Sequence, residues 1–182
     1  TSAIGMYDPQ FEKDSCGVGF IVDLKARKSR DIVEKAVQML MNLEHRGAVG
    51  ADPETGDGAG ILLQMPHDFM KVAAAEAKIN LPAEGEYGVA FIFMPQENGL
   101  RKQVENIFEK IVVDEDLEFL GWRKVPVDDS VPGYGAKLTL PYVVQAFVGR
   151  GKFKGSKDDF ERRLYLVRRV IDHRIRGELK LN

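Results

Sequence analysis

The chain has 182 residues, 44% of them hydrophobic and 30% charged, with 26 basic and 28 acidic side chains and a single cysteine. That is the size of one globular domain, or one and a fraction. A formal charge of −2 gives no global attraction to nucleic acid or anionic lipid, one cysteine makes neither an internal disulfide nor a cysteine metal cluster, and no apolar run approaches the roughly 20 residues that cross a bilayer.

Residues 1–15 lack apolar periodicity and contain Gly5, Pro9 and three acidic residues, which reads as an arm or a pro-segment; they are also too acidic for a secretory signal, so a cytoplasmic protein is expected. Order is expected from Cys16. The run GVGFIVDL, residues 17–24, suits a short buried strand. Asp31 then resembles an N-cap with Glu34 three residues on, and Ile32, Val33, Ala36, Val37, Leu40 and Leu43 follow at helical spacing, predicting a helix over about 31–45. Residues 46–60, RGAVGADPETGDGAG, are too rich in Gly, Pro and Asp for a regular element and predict a long, specifically folded loop. Beyond it the pattern gives a strand at 59–65, a helix at 67–78, a strand at 87–94 and a helix at 99–112. Strands at 117–124 and 141–148 and a helix at about 157–176 complete the chain. The mixture fits either a parallel βαβ sheet or a layered sandwich with antiparallel strands, and periodicity does not choose between them.

Cys16 lies between Ser15 and Gly17, where small neighbours leave its thiol uncrowded. A lone cysteine is more often a small buried hydrophobe than a nucleophile, and the three histidines, His45, His67 and His173, form no local cysteine–histidine signature. One arrangement needs no histidine: if residues 1–15 are removed, the α-amino group of Cys16, with a reference pKa of about 7.7–8.0, accepts the thiol proton within the same residue. Gly56, Gly58 and Gly60 do not make a phosphate loop, since no Lys-Ser/Thr follows and the pattern is not GxGxxG. Asp52, Glu54 and Asp57 fail the EF-hand register, and the histidines have no metal-binding spacing. Residues 150–182 hold 11 Lys/Arg against 5 Asp/Glu, but Arg162, Arg163, Arg168, Arg169, Arg174 and Arg176 interleave with apolar residues as on an amphipathic helix with a solvated basic face.

The run from Tyr7 to Leu63 closely resembles the start of the large subunit of glutamate synthase, which opens with a class II glutamine amidotransferase domain. The resemblance rests on a pro-segment ending before Cys-Gly-Val-Gly-Phe, on Leu-Glu-His-Arg-Gly-Ala, and on the Gly-Ala-Asp-Pro-Glu-Thr-Gly-Asp-Gly-Ala-Gly loop; FLGWRKVPV (119–127) and FERRLYLVRR (160–169) extend it. It implies an α+β fold, the αββα sandwich of N-terminal-nucleophile (Ntn) hydrolases, incomplete here, with residues 1–15 as pro-segment and 16–182 as the N-terminal portion of the amidotransferase domain. It implies that Cys16 attacks L-glutamine to form a γ-glutamyl thioester, releasing ammonia and then glutamate, with its own amine as base. Arg46 and Gly47 match the His-Arg-Gly motif lining the nucleophile. The FMN and iron–sulfur cluster of the resembled enzyme belong to its other domains, leaving no cofactor and no metal in this chain. Expected partners are L-glutamine, the remaining domains or subunits of glutamate synthase, and a second copy of the chain through open sheet edges.

Two of the family's motifs are missing: the His-Ser-Arg-Phe-Ser type, whose arginine grips the substrate carboxylate, and the His-Asn-Gly-Glu type, whose Asn-Gly pair forms the oxyanion hole. Asn98-Gly99 lacks the preceding histidine and is read as a turn and cap at a helix start. One oxyanion donor is worth roughly 10²–10³ in rate, so this fragment alone is expected to turn over glutamine poorly. The start at Thr1, as after loss of an initiator methionine, fits an unprocessed gene fragment or split subunit. The alternatives are a catalytically inactive precursor fragment or interaction module of the same fold, and a generic thiol-redox role for Cys16.

Overall fold

A computed structural model describes residues 17–43, 52, 54–55 and 58–179. The chain forms two compact units, one of Thr1–Met65 with Val131–Leu138, the other of Pro66–Ser130 with Thr139–Asn182. Among the described residues no helix is long and apolar enough to cross a membrane.

In the first unit, helix α1 runs over Arg30–Asn42. Its cap is Ser29 rather than Asp31: the Ser29 hydroxyl accepts from the Ile32 amide at 3.4 Å. Asp31, already inside the first turn, pairs with Lys35 at 2.8 Å, and Glu34 pairs with Arg30 at 2.8 Å instead of reaching back to the cap. Ile32, Val33, Ala36, Met39, Leu40 and Leu43 form its half-buried stripe, while Val37 falls off that stripe and is exposed. The expected helix end at 44–45 lies outside the described residues.

The expected strands at 17–24 and 59–65 do not form among the described residues. Both segments have strand-like composition, but a strand exists only where a neighbour satisfies its backbone N–H and C=O groups, and among the described residues neither segment has a ladder partner. Most of their apolar side chains are exposed, Phe20 at 87% and Leu62 at 102% relative exposure, with Ile21 and Met65 half-buried.

The second unit holds α2 (His67–Glu76), β1 (Tyr87–Met94), α3 (Asn98–Asp114), β2 (Glu118–Lys124), β3 (Tyr142–Gly149) and a long final helix, Lys157–Leu179. All match the sequence expectations to within three residues at either end. The strands form one sheet in the order β1-β3-β2, with both pairings antiparallel. This decides between the two sheet types that periodicity left open. The strands β1 and β2 run in the same direction, α3 connects them, and β3 inserts between them.

One sheet face carries Ala90, Ile92 and Met94 of β1, Val144, Ala146 and Val148 of β3, and Phe119 and Trp122 of β2. Against it pack Val104, Phe108, Ile111 and Val112 of α3 and Phe160, Val167 and Ile171 of the final helix, positions that fall on one face of each helix at 3.6-residue spacing. The Trp122 indole N–H, at the edge of this core, donates to Glu109 Oε1 at 2.7 Å, so its polar atom is not stranded. On the opposite face β3 buries Val143, Gln145 and Phe147, and the Arg123 guanidinium donates to Gln145 Oε1 at 3.0 Å. A bulge at Leu120 shifts the β2 register between Phe119 and Gly121. Gly121 adopts φ +149°, open to glycine and rare for other residues.

The first unit also contains α4, a single turn over Tyr134–Lys137; with it the final helix becomes α5.

Candidate functional site

The residues proposed from sequence for catalysis, Cys16, Arg46 and Gly47, lie outside the described residues, as does His45. The structure places what flanks them. Gly19, three residues after Cys16, sits against Met39 of α1 so closely that a Cβ there would run into Met39 Sδ. Met39 in turn is seven residues before Arg46 on the helix that leads toward it. The segment following the cysteine and the helix preceding His-Arg-Gly are therefore in contact.

Within the Gly-rich loop, Asp52 is the organising residue. Its Oδ1 accepts from the Glu54 amide at 3.2 Å and its Oδ2 from the Thr55 hydroxyl at 2.8 Å, while the Thr55 amide donates to the Asp52 carbonyl at 3.0 Å. The Gly135 amide of α4 donates to the same Oδ2 at 3.1 Å, the Ala136 amide to Thr55 Oγ1 at 3.4 Å, and the Gly133 amide to the Glu54 carbonyl at 3.1 Å. These bonds, the Thr55 hydroxyl first and the Gly135 amide next, hold the Asp52 carboxyl below the usual carboxylate range. The Asp52 carboxylate thus accepts from two backbone amides and one hydroxyl, and among the described residues no group of three or more His, Cys, Asp or Glu converges as a metal site. Sequence reasoning weighed Asp52 only for calcium and passed over residues 131–137. The signal available there was Pro132-Gly133 followed by Gly135, a turn-forming cluster of its own.

The other candidates resolve into structural roles. His67 Nδ1 hydrogen-bonds Tyr87 Oη at 2.9 Å, and burial, with Glu84 nearby, raises the Tyr87 pKa. His173 is exposed on α5. At the start of α3 the N-cap is Glu97, whose carboxylate accepts from the Gly99 amide at 2.7 Å and the Leu100 amide at 2.6 Å. The Gly99 amide, the donor an oxyanion would need, is thus already engaged.

The α5 arginines are largely paired: Arg162 with Asp159, Arg163 with Glu115 at the end of α3, Arg174 with Glu178, and both Arg169 and Arg176 with Asp172. The exposed pairs among these contribute little stability, but they reduce the positive potential on which phosphate binding draws. A cleft lined by Glu86, Arg150, Phe153, Lys154 and Lys157 offers no open cation from Arg150, because its guanidinium bonds Glu86 at 2.7 Å and the Gly155 carbonyl at 2.8 Å and lies over the Phe160 ring.

Comparison with known proteins supplies the rest. The chain is 40% identical over 171 residues to the glutamate synthase [NADPH] large chain of Bacillus subtilis (strain 168), covering 94% of this chain and 11% of that protein. It is 38% identical over 183 residues to the glutamate synthase [NADH] of Schizosaccharomyces pombe, covering 97% of this chain and 9% of that one. It is also 38% identical over 167 residues to the ferredoxin-dependent glutamate synthase 1, chloroplastic/mitochondrial, of Arabidopsis thaliana, covering 92% and 10%. The chain thus spans about a tenth of the length of these relatives. Residues 16–181 match the family described as glutamine amidotransferases class-II, and the match begins at Cys16. The chain belongs to the class II glutamine amidotransferases.

Proposed function

We propose that the polypeptide carrying this chain hydrolyses L-glutamine at Cys16 and delivers the ammonia for glutamate synthesis in the cytoplasm, as the amidotransferase part of a glutamate synthase. The observation that carries the reading is the start of the family match at Cys16 itself, the one residue that can be both nucleophile and, once residues 1–15 are removed, its own base. In this mechanism the free α-amine takes the thiol proton and the thiolate adds to the γ-carboxamide carbon. The resulting tetrahedral intermediate expels ammonia, which takes its proton from the α-ammonium, and leaves a thioester. Water, deprotonated by the same amine, then cleaves the thioester to glutamate and restores the thiol. Arg46 and Gly47 line the nucleophile, while the oxyanion donors and the carboxylate clamp come from sequence beyond this chain, so the isolated fragment turns over glutamine poorly.

In fold the proposal is an αββα sandwich, supported by unit 2, whose helices α3 and α5 cover one face of one sheet. The iron–sulfur cluster of the parent enzyme does not fit here, because cluster ligation needs several thiolates and the chain has one cysteine. The flavin, the cluster and the synthase chemistry belong to other domains or subunits.

The test is the N-terminus and the activity of the natural protein. Intact mass should show a chain beginning at Cys16, and Cys16→Ser should abolish glutaminase activity and labelling by an electrophilic glutamine analogue. A natural protein that keeps residues 1–15 overturns the proposal, since the amine is then locked in a peptide bond, and supports an inactive precursor or interaction module. Sensitivity of Cys16 to peroxide with no response to glutamine analogues supports the redox alternative.

A further inference from the structure

Helix α4 is capped by residues from far away in sequence. Its own N-cap is Gly133, which has no side chain to accept from the first turn, and the Gly135 and Ala136 amides turn instead to Asp52 and Thr55, 83 and 81 residues earlier. The Gly133 amide closes the clasp on the Glu54 carbonyl. A side chain at residue 133 is incompatible with it, because a Cβ would meet Asp52 Oδ2 and Thr55 Oγ1. Three amides of one segment thus terminate on Asp52, Glu54 and Thr55 of the other, in a stretch, residues 46–60, whose sequence contains five glycines.

Asp52 follows Gly47 by five residues, so no conformation puts the two Cα atoms more than about 18 Å apart. We propose that Asp52 and Thr55 are positioning residues: by capping residues 133–136 they fix their own place in the fold, five to eight residues past Gly47 in the chain, so that glutamine binding does not have to fix it. The inference rests on the proposed role of Cys16, and it assigns a purpose to the ADPET stretch and to the VPGYGA stretch together. The reaction it serves is acyl transfer from glutamine to Cys16, where misplacement of a site group by about 1 Å can cost on the order of 10² in rate.

The experiment uses the full-length polypeptide bearing this chain, with Cys16 at its N-terminus. Asp52→Ala, Thr55→Ala and Gly133→Ala are compared with the parent for alkylation of Cys16 by an electrophilic glutamine analogue and by iodoacetamide, which needs no ordered site. The expected result is a loss of about tenfold or more toward the analogue with little change toward iodoacetamide, and faster hydrogen exchange at the Gly135 and Ala136 amides. Thr55→Ser, which keeps the hydroxyl, should restore most of the analogue reaction. Emission from Trp122, the one tryptophan, reports that unit 2 is intact in each variant. Equal losses toward both reagents, unchanged analogue labelling despite faster exchange, or unchanged exchange would each overturn the positioning role. A parent protein that the analogue does not label overturns the reading of Cys16 itself, and with it the role given to the clasp, whereas the exchange data still report whether the clasp exists.

Discussion

Ile79 lies directly over Gly121: a Cβ on the glycine would stand 2.8 Å from Ile79 Cγ1, and Gly121 sits at the β2 bulge with φ +149°. Ile79, three residues past the end of α2, is thereby fitted to a kink in the second strand, and both the backbone conformation and the space exclude a side chain at residue 121. Gly121→Ala should destabilise unit 2 by about 1–3 kcal/mol, read from urea unfolding followed by Trp122 emission. Combining it with Ile79→Ala should cost less than the sum of the two single changes, since the second substitution removes the obstruction. Strict additivity would mean that the contact does not matter and that backbone strain alone is at work.

Unit 2 was the legible part of this sequence. Its strands and helices carry their own signals: β3, VVQAFV, is apolar on both sides because both of its faces are buried, and α3 and α5 each repeat apolar residues at helical spacing. The segments 17–24 and 59–65 have the same local signals and yet form no strand, because composition states a preference while pairing requires a partner. The candidate site divides the same way. The lack of helix or strand at Asp52, Glu54 and Thr55 could be read from composition, but their clasp to Gly133–Ala136 could not, since nothing local marks Asp52 as the cap of a turn more than 80 residues away.

At the start of α5, Ser156 and Asp159 form a reciprocal capping box: the Asp159 amide donates to Ser156 Oγ at 3.1 Å, and the Ser156 amide and hydroxyl donate to Asp159 Oδ2 at 3.1 and 2.7 Å. The Ser156 bonds, with Arg162 contributing less, lower the Asp159 pKa below its ordinary 3.8. A carboxylate with a depressed folded-state pKa adds stability that is complete above the unfolded value and is lost as pH falls through the folded one. The first turn of α5 should therefore fray below about pH 4, seen as faster amide exchange at residues 157–160, and Asp159→Asn should flatten that dependence.

Tyr87 gives the opposite sign on the alkaline side. Burial raises its pKa above the ordinary 10.0, so the neutral phenol favours the folded state and its contribution is present below about pH 10 and lost as pH rises through the folded value. Tyr87→Phe should lower stability at neutral pH, by removing the His67 hydrogen bond, and weaken the decline above pH 10. Equal slopes in the two proteins above that pH would assign the alkaline decline to other groups.

Asn98 tests the assignment of the only Asn-Gly pair. With the Gly99 amide bonded to Glu97 and Asn98 Oδ1 accepting from Arg101 at 2.9 Å, the pair serves the helix start. Asn98→Ala in the full-length protein should change glutaminase turnover by less than about twofold, where loss of an oxyanion donor costs on the order of 10²–10³. A loss of the larger size would place this pair in the oxyanion hole and overturn its reading as a cap.

The sheet order β1-β3-β2 has a consequence for synthesis on the ribosome. β1 and β2 are never neighbours, and each pairs only with β3, whose residues 142–149 are made last of the three. As the chain emerges, the apolar residues of β1 and β2 wait through the synthesis of residues 125–141 before any strand of unit 2 finds its partner. A nascent chain stalled ahead of Tyr142 therefore offers unpaired apolar strands to whatever binds such segments at the tunnel exit, and release from those holdases awaits the arrival of one strand.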